Sequence, residues 1–445
     1  MENESPRESG IGYRVSPYFS IFHFPLSIFL KGFIILAPFT AWMAITGWLR
    51  PPIDCLLVAL ALGAPGLLLT LVNRPRRLMP DEEDWLLVAL AGVMWLSWYV
   101  MGSHTGKSLN HTISFTFVYS CYLILFKALW RQARLSVEDL FRAAFYMVVL
   151  GNGIVVVEWL LINLLDVEIR HYFIWSDAVT NMTFYDQFFF LSVGGTAEEP
   201  SLMAYNLNAL FPLAWYYVRQ QPRIRHWASA LVGLHVWGML ATASSGGIGF
   251  FAIGFVVSGL LELKRSRVLQ LAVAVLSTVV LVGVTYLLLP SDAQDKAVKF
   301  ALNVTSKMVF NQRSANMRVE AWQHGVQDFL SSPWLGHGPA YGHEAYQMFG
   351  YQSYYFKLLA EGGVFAFGLM VAFLVVIAVK IWRIRQPLRR FLLMSFIAST
   401  LHWAIADCYY HVSFWVVIAA VQLIHQDRAA TRPRLVQSTS LIGSV

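Results

Sequence analysis

Residues 362–379 read GGVFAFGLMVAFLVVIAV, a run without one charged side chain. With its flanking turns, 353–382, it exceeds the ~20 apolar residues that carry a helix across a bilayer. Basic residues follow at once: Arg383, Arg385, Arg389 and Arg390. On either side of this run, comparable stretches recur along the whole chain, about twelve in all. They fall near 24–48, 53–72, 85–103, 110–129, 141–165, 201–218, 227–243, 246–262, 268–289, 353–382, 391–405 and 412–425. Composition agrees. Of 445 residues, 57% are hydrophobic and 13% charged, against about 25% charged in soluble proteins, and mean hydropathy is +0.54. The runs are too long for the ~10-residue alternating strands of an outer-membrane barrel. The expected fold is therefore an all-α polytopic membrane protein. Residues 1–20 are polar and the first run is long enough to remain in the membrane, so no cleavable signal peptide is expected.

Lys and Arg concentrate in cytoplasmic loops while successive helices alternate direction. The clusters Arg74/Arg76/Arg77, Arg131/Arg134, Arg219/Arg223/Arg225, Lys264/Arg265/Arg267, Arg383–Arg390 and Arg428/Arg432/Arg434 then all fall on one side. The opposite short loops hold only Arg50, Lys107 and Arg170. Both termini are thus expected in the cytoplasm and residues 290–352 outside. The net charge of +7 comes mainly from these clusters. It points to membrane topology and not to nucleic acid, because no basic stripe is interleaved with aromatics on a soluble face. Cys55, Cys121 and Cys408 sit in or beside spans and read as packed thiols. Gly102–Ser108 resembles a phosphate-cradling P-loop, but it has three residues between its glycines instead of four, follows no strand and lies on the outer side.

The segment 290–352 is the only long polar excursion, and loops of that length are usually functional or disordered. Phe300, Val309, Phe310, Trp322, Phe329 and Trp334 argue against disorder. Residues 313–330 read as an amphipathic helix, with Arg318 and Trp322 one turn apart and Val319, Val326 and Phe329 on an apolar side. Ser331-Ser332-Pro333 ends it, and Gly336-x-Gly338 gives a tight turn. Lys296, Lys299 and Lys307 read as a solvated face. Arg313 and Arg318 point to an anion site, since guanidinium forks match phosphate oxygens, and a lipid diphosphate is the natural anion at that depth. Residues 352–363 return to the membrane and break at Gly362-Gly363 beside Glu361; such a break either lines a cavity or is a plain kink. Glu158, Asp407 and His411 are polar at membrane level and either line a cavity or pair within the bundle.

The succession Arg313…Arg318-x-x-x-Trp322…Phe329-x-x-x-Pro333-x-x-Gly336-x-Gly338…Gln352-Ser353…Leu358-x-x-Glu361-x-Gly363 resembles the O-antigen polymerase and O-antigen ligase superfamily of bacterial inner-membrane glycosyltransferases. Glu199-Pro200-Ser201 at a span entrance and the Thr242-x-Ser244-Ser245-Gly246 turn add to the likeness, which covers roughly 185–385. Two positions depart from the pattern. Ser245-Gly246 stands where an Arg often follows the turn's Ser, and Gln352-Ser353 stands where ligases carry a His-Asn pair. With Glu198-Glu199-Pro200-Ser201, these departures favour a polymerase.

The resemblance implies a GT-C-like architecture of about twelve transmembrane helices with one long periplasmic loop containing helices. It divides the chain into spans and short loops over 1–289, the periplasmic loop over 290–352, the last spans over 353–425 and a cytoplasmic tail over 426–445. It implies a metal-independent transferase without cofactor that joins polyprenyl-diphosphate-linked repeat units at the periplasmic face. Arg313 and Arg318 would hold the diphosphate, and the base would be Glu199, His343, Glu198 or His337, in that order. Trp322, Gln352 and Glu361 would position the substrate. The implied partners are the lipid-linked glycan, the bilayer, and a chain-length regulator and flippase of the same pathway. Three alternatives remain: a ligase handing glycan to an acceptor, a transporter or flippase, which predicts more mid-span charge and short outer loops, and a non-catalytic assembly component of a polysaccharide export machine.

Overall fold

The computed structural model describes residues 17–40, 50–73, 80–169, 185–186, 191–261, 294, 313–346 and 350–440. Helices dominate: α1 (Pro17–Ile35), α2 (Pro51–Asn73), α3 (Asp84–Met101), α4 (Gly106–Tyr119), α5 (Phe126–Gln132) and α6 (Val137–Leu165) come first. Then follow α7 (Pro200–Gln220), α8 (Ala228–Thr242), α9 (Ser245–Leu260), α10 (Arg313–Ser331), α11 (Tyr341–Ala345), α12 (Tyr354–Arg383), α13 (Leu388–Trp403) and α14 (Val412–Ser440). A π-helical turn, Ser120–Leu125, joins α4 to α5. One two-residue strand pair, Tyr185–Asp186 with Leu191–Ser192, is the extent of sheet among the described residues. Each expected span except 268–289, which lies outside the described residues with Lys296, Lys299 and Lys307, overlaps a helix. Among the described residues, five helices are long and apolar enough to cross a membrane: Pro51–Asn73, Asp84–Met101, the continuous Gly106–Gln132, Val137–Leu165 and Tyr354–Arg383.

Local sequence explains the boundaries. Ser136 and Asp139 form a capping box at the start of α6, each satisfying the other's backbone N–H. Pro200 opens α7 at a position where its missing N–H costs nothing. Nearly every residue of α7 is buried, so it is the central helix, flanked by α6 on one side and α13 on another. Large apolar side chains such as Val72 (79% exposed), Tyr99 and Leu164 face outward from the bundle. An apolar solvent accounts for such a surface better than water does.

The helix ends sort into two groups. At one end, Gln221 donates to Glu138 at 2.7 Å, Arg131 binds Gln426, and Tyr216 meets Phe391. The loops bearing Arg131/Arg134, Arg219–Arg225 and Arg383–Arg390 therefore converge there. Lys127 sits in that end, donating to Asp81 and Asp84 at 2.6 Å each, while Lys380 pairs with Glu83 at 2.5 Å. Gln422 donates to Glu83 and Asp84, and Gln426 to Asp81. Charges buried this deeply persist only when paired. At the opposite end lie the break in α12 and the polar groups described next.

Candidate active site

Gly363 interrupts α12 with φ 66° and ψ −166°, a region open essentially to glycine. A break inside an apolar helix strands backbone groups that lipid cannot satisfy. The turn after α10 satisfies them. His337 N–H donates to Ala360 O at 2.8 Å, Gly338 N–H to Glu361 O at 3.1 Å, and Val364 N–H to Pro333 O at 2.8 Å. Ser97 Oγ lies 2.6 Å from Leu335 O and 2.7 Å from Glu361 O. A Cβ on Gly336 would come within 2.5 Å of the Glu361 carbonyl carbon, and one on Gly338 within 2.6 Å of Gly102 Cα. The run Pro333–Gly338 is thus a plug fitted to the broken helix, and its glycines allow the approach.

Around this plug, α10 lies along the first turns of α12, with Trp322 stacked on Phe356 at 5.9 Å. Asp328 is buried and accepts from Tyr346 OH at 2.7 Å and Tyr351 OH at 2.8 Å. His337 stacks on Tyr341 at 4.4 Å, its Nε2 lying 2.7 Å from Ser331 Oγ and 3.1 Å from Asp328 O. Two of the α12 residues are charged and buried. Lys357, 2% exposed, pairs with Asp407 at 2.7 Å and lies 5.1 Å from the Tyr409 ring centre. Glu361, one turn on, is fully buried with no hydrogen bond to either carboxylate oxygen that meets normal geometry, although the Ala340 N–H faces it.

Asp407 belongs to the short connection between α13 and α14, which also carries His411; His402 ends α13. The Tyr205 ring of α7 lies between the two histidines, 5.2 Å from His402 and 5.8 Å from His411. Both are 1% exposed. Among the described residues neither ring nitrogen of His402 has a hydrogen-bond partner, nor has His411 Nε2, whereas His411 Nδ1 lies 3.2 Å from Asn206 Nδ2. The Arg318 charge acts on His402, and that of Arg50 on His411. Arg50 itself binds Glu198 and lies 5.4 Å from the Tyr410 ring centre. Burial holds the His411 imidazole well below its usual range, with Arg50 and His402 adding to the effect. Burial pushes the Glu198 carboxyl up; Arg50 opposes this and Glu199 adds to it. Glu199 stands at the N-cap position of α7 without a side-chain capping bond, and it accepts from Ser201 Oγ at 3.2 Å.

The expected site residues therefore separate. The Arg318 charge acts on His402 of the His402–Tyr205–His411 centre, Glu198 is tied to the same centre through Arg50, and Glu199 adjoins Glu198. Glu361 faces the Lys357–Asp407 pair, Trp322 packs where α10 meets α12, and Gln352 stands before α12 with φ 53°. His343 packs on His111 at 5.0 Å, away from that centre, and His337 belongs to the plug. Arg313 opens α10, and its side chain lies outside the described residues. Glu158 accepts from Gly195 N–H at 2.7 Å and so shapes the approach to α7.

Comparison with known families now bears on this arrangement. Residues 230–371 match the family described as O-Antigen ligase. The matched stretch runs from within α8 to within α12 and includes Arg318, the plug and the break in α12, so the resemblance to the O-antigen polymerase and ligase superfamily is found by a second route. No curated protein matches the chain. His402 and Lys357 were not singled out by sequence, and Arg50 was read only as a loop residue. A lysine inside an apolar helix was itself a signal, because it requires a nearby acid.

Proposed function

We propose that this chain is a polymerase of the bacterial inner membrane that joins polyprenyl-diphosphate-linked oligosaccharide repeat units at the periplasmic face. The family match over 230–371 carries the reading, and it contains the helix that bears Arg318, whose charge acts on His402. Transfer of the glycan breaks the bond between the anomeric carbon and the diphosphate and forms one to an acceptor hydroxyl. Arg318, with Arg313, takes the charge that grows on the leaving diphosphate. Glu199, whose described partner is a hydroxyl and not a cation, takes the acceptor's proton, with Glu198 beside it. His402 and His411 line the acceptor's approach with polar nitrogens that a sugar hydroxyl can engage. No metal enters this scheme. In the same reading residues 290–352 are periplasmic, both termini are cytoplasmic, and a chain-length regulator and a flippase act with the enzyme.

The ligase remains the second reading, favoured by the description of the matched family. Gln352-Ser353, in place of a His-Asn pair, tips the balance to the polymerase. The family match gives the transporter no support. Reconstitution with a lipid-linked repeat unit tests the proposal: long chains on lipid should form without a separate acceptor lipid. In that assay Arg318→Ala should lose about 2–4 kcal/mol of transition-state stabilisation, or roughly 30- to 1000-fold in rate. Arg318→Lys should recover only part, since an ammonium lacks the fork. Normal polymer from a well-expressed Arg318→Ala protein would reject the assignment. Product formed only when a different acceptor lipid is added would establish the ligase.

A further inference from the structure

At the basic end of the bundle, a pocket of about 220 Å³ is lined by Arg219, Gln220, Arg225, Pro387 and Phe391. Three elements build it. The end of α7 gives Arg219 and Gln220, the turn before α8 gives Arg225, and the start of α13 gives Pro387 and Phe391. Phe391 is buried, with the Trp215 and Tyr216 rings each 5.4 Å away, and the Arg219 guanidinium lies 6.0 Å from the Trp215 ring centre. Among the described residues neither Arg219 nor Arg225 pairs with a carboxylate. Acids of that end are engaged elsewhere: Glu138 by Gln221 and Arg142, Asp81 by Lys127 and Arg131. Two cations that share a concavity with no acid between them repel each other, and an anion placed there turns repulsion into attraction.

Size and depth narrow the ligand. The volume admits phosphate groups but falls short of the ~300–1,000 Å³ of small-molecule and cofactor pockets, so a nucleotide does not fit. Two residues past Arg225 comes Trp227, 58% exposed, and then α8, which turns Val236, Trp237 and Leu240 outward. A tryptophan at the end of a helix with such a face sits at the headgroup level of a bilayer. The pocket therefore lies where lipid phosphates lie, and basic pockets between helices at that depth suit multiply anionic headgroups. Two guanidiniums match two phosphates carried on one glycerol. A phosphatidylcholine head brings its own cation, and a single phosphodiester brings one charge.

We propose that the pocket between the ends of α7 and α13 binds the headgroup of a diphosphatidylglycerol phospholipid, with Arg219 and Arg225 taking its two phosphates. The site is separate from the candidate active site and does not depend on the reaction there. Glu199 and His402 stand at the opposite ends of α7 and α13. Occupancy fills the cleft between the near ends of these two helices, and it should raise Tm.

The test titrates the full chain in detergent with diphosphatidylglycerol, phosphatidylglycerol or phosphatidylcholine, counts bound lipid by native mass spectrometry and measures Tm in parallel. The wild-type chain should hold one diphosphatidylglycerol in preference to either other lipid and gain Tm with it. Arg219→Gln and Arg225→Gln should each weaken that binding about fivefold, and the double variant about 25-fold, from the usual contribution of one basic residue at an anionic surface. Both side chains are exposed, so the variants should fold. Arg134→Gln, in the neighbouring basic loop and outside the pocket, should bind as the wild type does. Unaltered binding in the double variant would overturn the proposal. Equal loss in Arg134→Gln would overturn it too, by reducing the effect to diffuse attraction. A last arm adds inorganic phosphate at constant ionic strength and should leave the lipid bound; displacement by millimolar phosphate would make this a site for soluble phosphate instead.

Discussion

The two ends of this bundle bury polar groups in opposite ways. At the basic end, Lys127 lies between Asp81 and Asp84, Lys380 meets Glu83, and Gln422 and Gln426 supply further donors. At the other end, among the described residues, His402 has no partner at either nitrogen, His411 Nε2 and Asp407 Oδ1 have none, and neither oxygen of Glu361 makes a hydrogen bond of normal geometry. Both ends are shielded from water, so the penalty for an open polar atom is high in each. A cluster whose charges are all paired stabilises one arrangement. A cluster with open valences is costly as a structural device and is suited to a ligand that completes it.

That contrast can be broken first at the paired end. Lys127→Ala would leave Asp84, which is fully buried, without its cation, at a cost of roughly 3–5 kcal/mol. Low membrane abundance and a depressed Tm are expected, with turnover per folded molecule unchanged. A stable Lys127→Ala protein would show that the cluster is not structural.

Between the two ends in size is the effect of the plug. Gly363→Ala forces a side chain into a backbone conformation that only glycine tolerates and directs its Cβ at Trp334 O. A loss of about 1–3 kcal/mol from strain alone is expected, read as a lower Tm in detergent. A smaller loss of activity per folded molecule should accompany it, because the plug also holds α10 against α12. An unchanged Tm would mean that the break is not held by the turn.

The smallest expected effect is on pH dependence. Burial and Glu199 raise the Glu198 carboxyl, and Arg50 opposes them. In Arg50→Ala the opposing charge is gone, so Glu198 keeps its proton to a higher pH. The acid limb of the pH–rate profile should then move to higher pH. A limb that stays in place would remove Glu198 from the rate-determining proton transfer.

Much of this was legible in sequence where the signal is local. The helix beginning at Arg313 and ending near Ser331-Ser332-Pro333 follows from periodicity and a stop signal, and the break beside Glu361 follows from the paired glycines. The partners of that break were not legible, because Pro333–Gly338 reaches Ala360–Val364 through a turn whose path the spacing does not specify. The site's centre was harder still. His402 is one polar residue in an otherwise apolar run, and its meaning depends on Tyr205 and His411, supplied by other elements. Arg50 and Glu198 are 148 residues apart, and Lys357 and Asp407 are 50 apart. Single residues at such separations carry no pattern until the helices are packed.

The account is tested most directly by measuring Tm and turnover together for His402→Leu and Lys127→Met in the reconstituted enzyme. Removing two unsatisfied ring nitrogens from the interior should be neutral or stabilising, so His402→Leu should keep or raise Tm while losing most of its turnover. Lys127→Met should do the reverse, unfolding at lower temperature yet retaining turnover per folded molecule. If His402→Leu unfolds early, or polymerises at the normal rate, the open end of the bundle is not the site of the reaction.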